Sequence, residues 1–178
     1  GRLYVNGTNN GQYVCDALAD PVNLPILGVN LLSYVHDCYV RGGRAYLAEI
    51  VNGRFRIANP ATLPFTTLGT KGTPGSFTHS TWATDDHALC FTTDENSTGF
   101  LQAYDTRVAS APQALANYAL PGHIVHNVYG IGRTVYLACY TDGFHMVDGG
   151  NAASTIKQLA YFDTSTIGSG FAGAWGCY

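Results

Sequence analysis

Charge is what this sequence has least of: nine Lys and Arg and twelve Asp and Glu make up 12% of its 178 residues, about half the usual quarter. The net charge is -3 and no Lys/Arg cluster occurs anywhere, so the basic footprint that a phosphate backbone requires is missing and nucleic acid is excluded as a partner. No apolar run approaches the roughly 20 residues of a membrane-spanning helix. The opening Gly1-Arg2-Leu3-Tyr4-Val5 has no basic stretch leading into an apolar one, so the chain reads as soluble, with any signal peptide removed or never included. Lysine is nearly absent, with only Lys71 and Lys157.

The five cysteines, Cys15, Cys38, Cys90, Cys139 and Cys177, form no CxxC, no haem-attachment pattern and no paired zinc spacing, which leaves cysteine-based metal or haem binding without support. Their odd number leaves at least one without an intrachain disulfide partner. No Gly-x-Ser-x-Gly elbow is present. Gly130-Ile131-Gly132 precedes a strand pattern rather than a helix, which rules out a phosphate-binding loop.

What the sequence has is glycine, tyrosine and a repeat. Twenty-one Gly and twelve Tyr, with abundant Thr and Ala, point to short strands and tight turns. Three segments align: Val35-His36-Asp37-Cys38-Tyr39, Thr78-His79-Ser80-Thr81-Trp82 and Val125-His126-Asn127-Val128-Tyr129. Each carries an aromatic three residues after its histidine. A fourth, Ala174-Trp175-Gly176-Cys177-Tyr178, has Trp175 in the histidine's place.

Each segment leads through a turn into a second apolar run, such as Gly43 to Ala48 or Gly132 to Leu137, then a Gly-led third run, such as Gly53 to Ile57 or Gly143 to Asp148, then a fourth. The chain's first residues match a second run. Four short strands per unit of 40 to 50 residues predict an all-β fold, a β-propeller of four-stranded antiparallel blades, with a β-sandwich as the alternative. The expected units are about 1–34, 35–77, 78–124 and 125–174, with 175–178 starting the next blade, all in one propeller region. The ends suggest a piece of a larger propeller, a four-bladed ring closed by pairing Trp175–Tyr178 with Arg2–Val5, or strand exchange between copies.

The phrases His36-Asp37-Cys38, Trp82-Ala83-Thr84-Asp85-Asp86 with Thr93-Asp94-Glu95, His126-Asn127 with Tyr129, Tyr140 to Asp148, Tyr161-Phe162-Asp163-Thr164 and Gly173 to Tyr178 resemble the LVIVD-repeat propellers. They are most similar to the secreted bacterial proteins called the choice-of-anchor B family. The resemblance runs from about Leu31 to Tyr178. It implies exported surface proteins and brings no settled reaction with it.

Candidate chemistry rests on few residues. First strands of a propeller line its axis, so His36, His79 and His126 could share a transition metal ion, or each could bond a neighbouring blade's backbone. Asp94 and Glu95, with Asp85 and Asp86 nearby, could hold Ca²⁺ in a loop or simply form a solvated turn. His87, His123 and His145 read as structural or exposed. Asn6-Gly7-Thr8 and Asn96-Ser97-Thr98 are glycosylation sequons. Together with the cysteines and scarce lysine they suggest a secreted or cell-surface setting. The expected function is an extracellular binding or assembly module for a surface protein or carbohydrate. The alternatives are a metal-dependent enzyme and a self-assembling subunit that forms homo-oligomers or polymers through its terminal strands.

Overall fold

In the computed structural model, which describes residues 1–31, 33–150, 152–168 and 170–178, glycine fixes the hairpins. Strands β4 (Asp37–Arg41) and β5 (Arg44–Glu49) are joined by Gly42 and Gly43 alone. Both have positive φ, 53° and 79°, as the twist-matched two-residue hairpin turns require. With β6 (Arg54–Asn59) and β7 (Thr66–Gly72) they form one antiparallel sheet in the order β4-β5-β6-β7.

The same plan recurs twice. β8 (Thr78–Ala83), β9 (Leu89–Asp94), β10 (Phe100–Asp105) and β11 (Gln113–Ala119) make a second four-stranded sheet, and β12 (Asn127–Ile131), β13 (Thr134–Ala138), β14 (Phe144–Asp148) and β15 (Lys157–Phe162) a third. At the front of the chain β1 (Arg2–Val5), β2 (Gln12–Asp16) and β3 (Ile26–Asn30) form a three-stranded sheet. Its strands correspond to the second to fourth of a full blade. We number the blades 1 to 4 in chain order. Among the described residues β1 pairs only with β2, so closure by pairing Trp175–Tyr178 with Arg2–Val5, one of the three arrangements the ends suggest, is not formed. The residues from Trp175 on lie instead against blade 4, where the Trp175 carbonyl accepts from Asn127 at 2.7 Å and Cys177 Sγ reaches the Tyr136 carbonyl at 3.4 Å.

Side chains alternate across each sheet, and in this fold both faces of the middle sheets are apolar. In blade 2, Ala45, Leu47 and Ala58 pack with Val14 and Tyr4 of blade 1, while Tyr46, Phe55 and Ile57 pack with Ala83, Cys90 and Tyr104 of blade 3. Phe91, Leu101 and Ala103 of blade 3 then meet Val128, Val135, Leu137 and Val147 of blade 4. The described residues therefore form three cores, each between consecutive blades, and first strands pack on neighbouring first and second strands. This is the stacking of a β-propeller rather than the single core of a sandwich. Blades come close enough that a Cβ built on Gly69 of β7 would lie 2.1 Å from the Ala109 carbonyl oxygen, so the contact requires glycine.

Candidate functional site

His36 and His126 sit just before β4 and β12 and His79 is the second residue of β8, and the three form a ladder across the blades. His36 Nδ1 is 3.3 Å from the His79 carbonyl oxygen, His79 Nδ1 is 3.1 Å from that of His126, and His126 Nδ1 is 2.6 Å from that of Trp175. A carbonyl oxygen only accepts, so each Nδ1 carries the proton. Each ring leans on the next, with centroids 4.2 Å apart between His36 and His79 and between His79 and His126, then 4.4 Å from His126 to Tyr140. Every imidazole thus bonds the backbone of the equivalent residue one blade on. The tryptophan at the fourth repeat position supplies the last rung through its carbonyl, for which no imidazole is needed.

Fixing the proton on Nδ1 leaves Nε2 of each neutral ring with a lone pair. For His79 and His126 that nitrogen faces one carboxylate. His79 Nε2 lies 3.5 Å from Glu95 Oε2 and His126 Nε2 lies 3.7 Å from Glu95 Oε1. The three ligand atoms are within 4.8 Å of one another. Tyr140 donates its hydroxyl proton to Glu95 Oε1 at 2.6 Å. His79 and His126 are buried and Glu95 half-buried. Burial first, then the neighbouring His126 and His36 rings, push His79 down to about 3. Burial likewise lowers His126. Neither His36 nor Asp94 belongs to this group.

Comparison with known proteins reaches the fold alone. No family model and no curated protein matches the chain. Among solved structures, a candidate 6-phosphogluconolactonase of Bacteroides fragilis superposes with a TM-score of 0.66 at 12% identity, over 86% of this chain and 49% of its own. A functionally unknown protein of Desulfotomaculum acetoxidans gives 0.69 at 10%, over 90% and 51%. The computationally designed Ika8 protein gives 0.64 at 12%, over 90% and 45%. The fold is β-propeller-like. The arc of four blades spans about half the length of the solved structures it matches.

The other expected site residues are drawn apart. Asp94 is the last residue of β9 and Glu95 lies just beyond it, and the two carboxylates meet different partners. Asp94 is fully buried and spends its oxygens on a turn: Thr73 Oγ1 and the Phe77 amide bond Oδ1 at 2.6 and 3.0 Å, and the Gly75 amide bonds Oδ2 at 2.9 Å. Asp85 pairs with Arg41 and Asp86 with Arg133, linking the hairpin tips of blades 2 and 4 to blade 3. The four carboxylates therefore share no point at which a Ca²⁺ ion could sit.

Both sequon amides are engaged. Asn6 Nδ2 reaches Cys38 Sγ at 3.5 Å and Asn96 Nδ2 donates to the Gly75 carbonyl at 2.9 Å, bonds that a glycan on either nitrogen would replace. His145 is a buried structural group, held by Asp142 Oδ2 at 3.0 Å and Tyr118 Oη at 3.0 Å. His87 stacks on Tyr46 and bonds its hydroxyl at 3.2 Å, and His123 is half-exposed beside Asp142 at 3.3 Å. All five cysteines are free thiols. Burial raises Cys38 to about 12 and Cys177 to about 11, and pushes Cys90 and Cys139 up as well, which disfavours the thiolate at each. Cys38 and Cys177 line one cavity of about 190 Å³ with Asp37, Ser80, Trp82 and Asn127, between the first strands of successive blades.

Tyr140 is the functional-site residue that the repeat alignment passes over. A register-based alignment finds it: Ala48 pairs with Asp37 and Ala138 with Asn127, so Ile50 and Tyr140 occupy the same place two residues on, and Glu95 holds that place in blade 3.

Proposed function

We propose that this chain is an assembly module, a half-ring of propeller blades completed head to tail by a second copy and used as a rigid binding scaffold outside the cell or on its surface. The observation that carries this reading is the chemistry of the open face of blade 4. By strand register, Tyr129, Tyr136, Phe144 and Met146 there match Tyr39, Tyr46, Phe55 and Ile57 of blade 2, where Tyr46, Phe55 and Ile57 are fully buried against blade 3. In blade 4 Tyr129, Tyr136 and Phe144 border an open cavity of about 290 Å³ with Ile131, Cys177 and Tyr178. Tyr178 also continues the aromatic series Tyr39, Trp82, Tyr129, whose rings are 4.2 and 4.5 Å apart.

The opposite end supplies a partner surface. Leu3, Val5, Tyr13 and Cys15 share the outer face of blade 1, with Leu3 and Val5 exposed. Leu3 and Cys15 hold the register of Cys90 and Tyr104, the residues that cover the matching face of blade 2. Interfaces between unlike faces close into rings when the rotation permits. The resemblance to LVIVD-repeat and choice-of-anchor B proteins supports the extracellular setting, and a surface protein or carbohydrate is the ligand class that the loops of such a disc suit. A metal-dependent enzyme is a second reading, favoured by the convergence of His79, His126 and Glu95.

Sedimentation of the purified chain should show one species of twice 19.0 kDa, and Tyr136→Lys should shift it to monomer by placing a charge in the apolar joint. A wild-type monomer at every concentration contradicts the proposal. Species that grow without limit as concentration rises contradict the closed ring and favour the filament alternative.

A further inference from the structure

We propose that His79, His126 and Glu95 form a binding site for one divalent transition-metal ion of the zinc class, with Tyr140 as the outer group that orients the carboxylate. The starting point is three acceptors turned toward one another. The Nδ1–H groups of both histidines are committed to the backbone at 3.1 and 2.6 Å, so each Nε2 presents a lone pair to Glu95. At 3.5 and 3.7 Å these contacts exceed hydrogen-bond length. A buried meeting of lone pairs without a proton between them is unfavourable unless a cation occupies the centre.

The spacing suits such an ion. Zinc–nitrogen and zinc–oxygen bonds of about 2.0–2.2 Å set ligand atoms roughly 3.3–3.5 Å apart in a tetrahedron. The donor set, two imidazole nitrogens and a carboxylate, suits zinc and its first-row neighbours rather than calcium or magnesium. The outer contacts follow the usual arrangement, in which each ligating histidine donates its other ring proton to a carbonyl and the carboxylate is itself hydrogen-bonded. Here those partners are the carbonyls of His126 and Trp175 and the hydroxyl of Tyr140. Three protein ligands leave a fourth position for water or a bound ligand, the pattern of catalytic rather than structural zinc.

The ladder itself does not require the carboxylate. At the previous step, between His36 and His79, the place of Glu95 is taken by Ile50, whose 3₁₀ turn (Ile50–Asn52) packs on β8. At the following step it is Tyr140. The histidine-to-carbonyl bond forms at all three steps, so a half-buried acid at one of them serves something other than blade spacing. The site rests on the ladder geometry and stands whether or not a second copy completes the ring.

The test is Zn²⁺ titration of the full chain against a chromophoric chelator, with Co²⁺ as a spectroscopic substitute. One equivalent of Zn²⁺ should bind, and Co²⁺ should give the intense visible absorption of a low-coordinate site. Glu95→Ile, which copies the preceding step of the ladder, should keep the cooperative unfolding transition and weaken Zn²⁺ by more than the roughly 100-fold that loss of an outer partner can cost. If that variant fails to fold, Glu95→Gln takes its place with the same expectation. Tyr140→Phe should weaken binding about 10-fold. A folded wild-type chain that takes up no Zn²⁺, or a folded Glu95 variant that binds it as tightly as wild type, overturns the proposal.

Discussion

Glu49→Ala should destabilise the chain by about 3–5 kcal/mol, the cost of breaking a buried ion pair from one side. Glu49 ends β5 and is fully buried. Arg54 Nε bonds its Oε2 at 2.6 Å, Asn52 Nδ2 the same oxygen at 3.0 Å, and Arg56 Nε bonds Oε1. Arg56 is itself buried, so removing the carboxylate strands a guanidinium without water or a counter-charge. Burial alone would raise the carboxyl. The bonds from Arg56, Arg54 and Asn52 outweigh it and hold the group at about 2, against an ordinary 4.5.

The sign of the pH effect follows. A depressed carboxyl stabilises the fold above its unfolded value and loses that contribution as pH falls through its folded one. Between pH 4.5 and 2 wild type should lose roughly 3 kcal/mol through this group, at about 1.4 kcal/mol per unit. Denaturant titrations across that window should show the loss in wild type and its absence in Glu49→Gln. An acid limb of the same depth in both would contradict the assignment.

Phe55→Ala should cost about 3–5 kcal/mol, in the range for truncating a buried aromatic. Phe55 has no exposed surface, and its ring is 4.7 Å from that of Tyr104, centroid to centroid, across the joint between blades 2 and 3. The matched substitution Phe144→Ala provides the contrast. Phe144 has the same register on the open face of blade 4, so in dilute monomer it should cost far less and act mainly on association. Thermal unfolding of the two variants at low and high protein concentration separates these effects. Equal losses at low concentration would mean that blade 4 is covered within one molecule.

Much of the fold was legible in the sequence because a propeller writes its geometry as a period. The order of histidine, hairpin glycine and Gly-led third run marked which segments are strands and which are equivalent. The histidines were legible as a set for the same reason, and the bond from each imidazole to its neighbour's backbone is one of the two roles their spacing allowed.

The site was legible only in part. Asp94 and Glu95 are adjacent in the sequence and invite a shared ion, but β9 ends between them, and one carboxylate binds a turn while the other faces two imidazoles. His36 looks equal to His79 and His126, yet the residue facing its step is Ile50, and that difference becomes visible only when strands are aligned by register. The Glu49, Arg54 and Arg56 cluster gave no sequence signal, because its members belong to two strands whose pairing had to be known first. The closure of the ring turned on which surface the last four residues touch, and no pattern in them specifies that.

The ladder of imidazoles is where the account is most directly exposed. Nitrogen-15 spectra of the ring nitrogens of His36, His79 and His126 report which nitrogen carries the proton and how fast it exchanges with water. Stacked blades require all three to be Nδ1–H tautomers, with ring protons protected from exchange by the carbonyls of His79, His126 and Trp175. Nε2–H tautomers or freely exchanging protons at these positions would mean that the blades do not stack in this register.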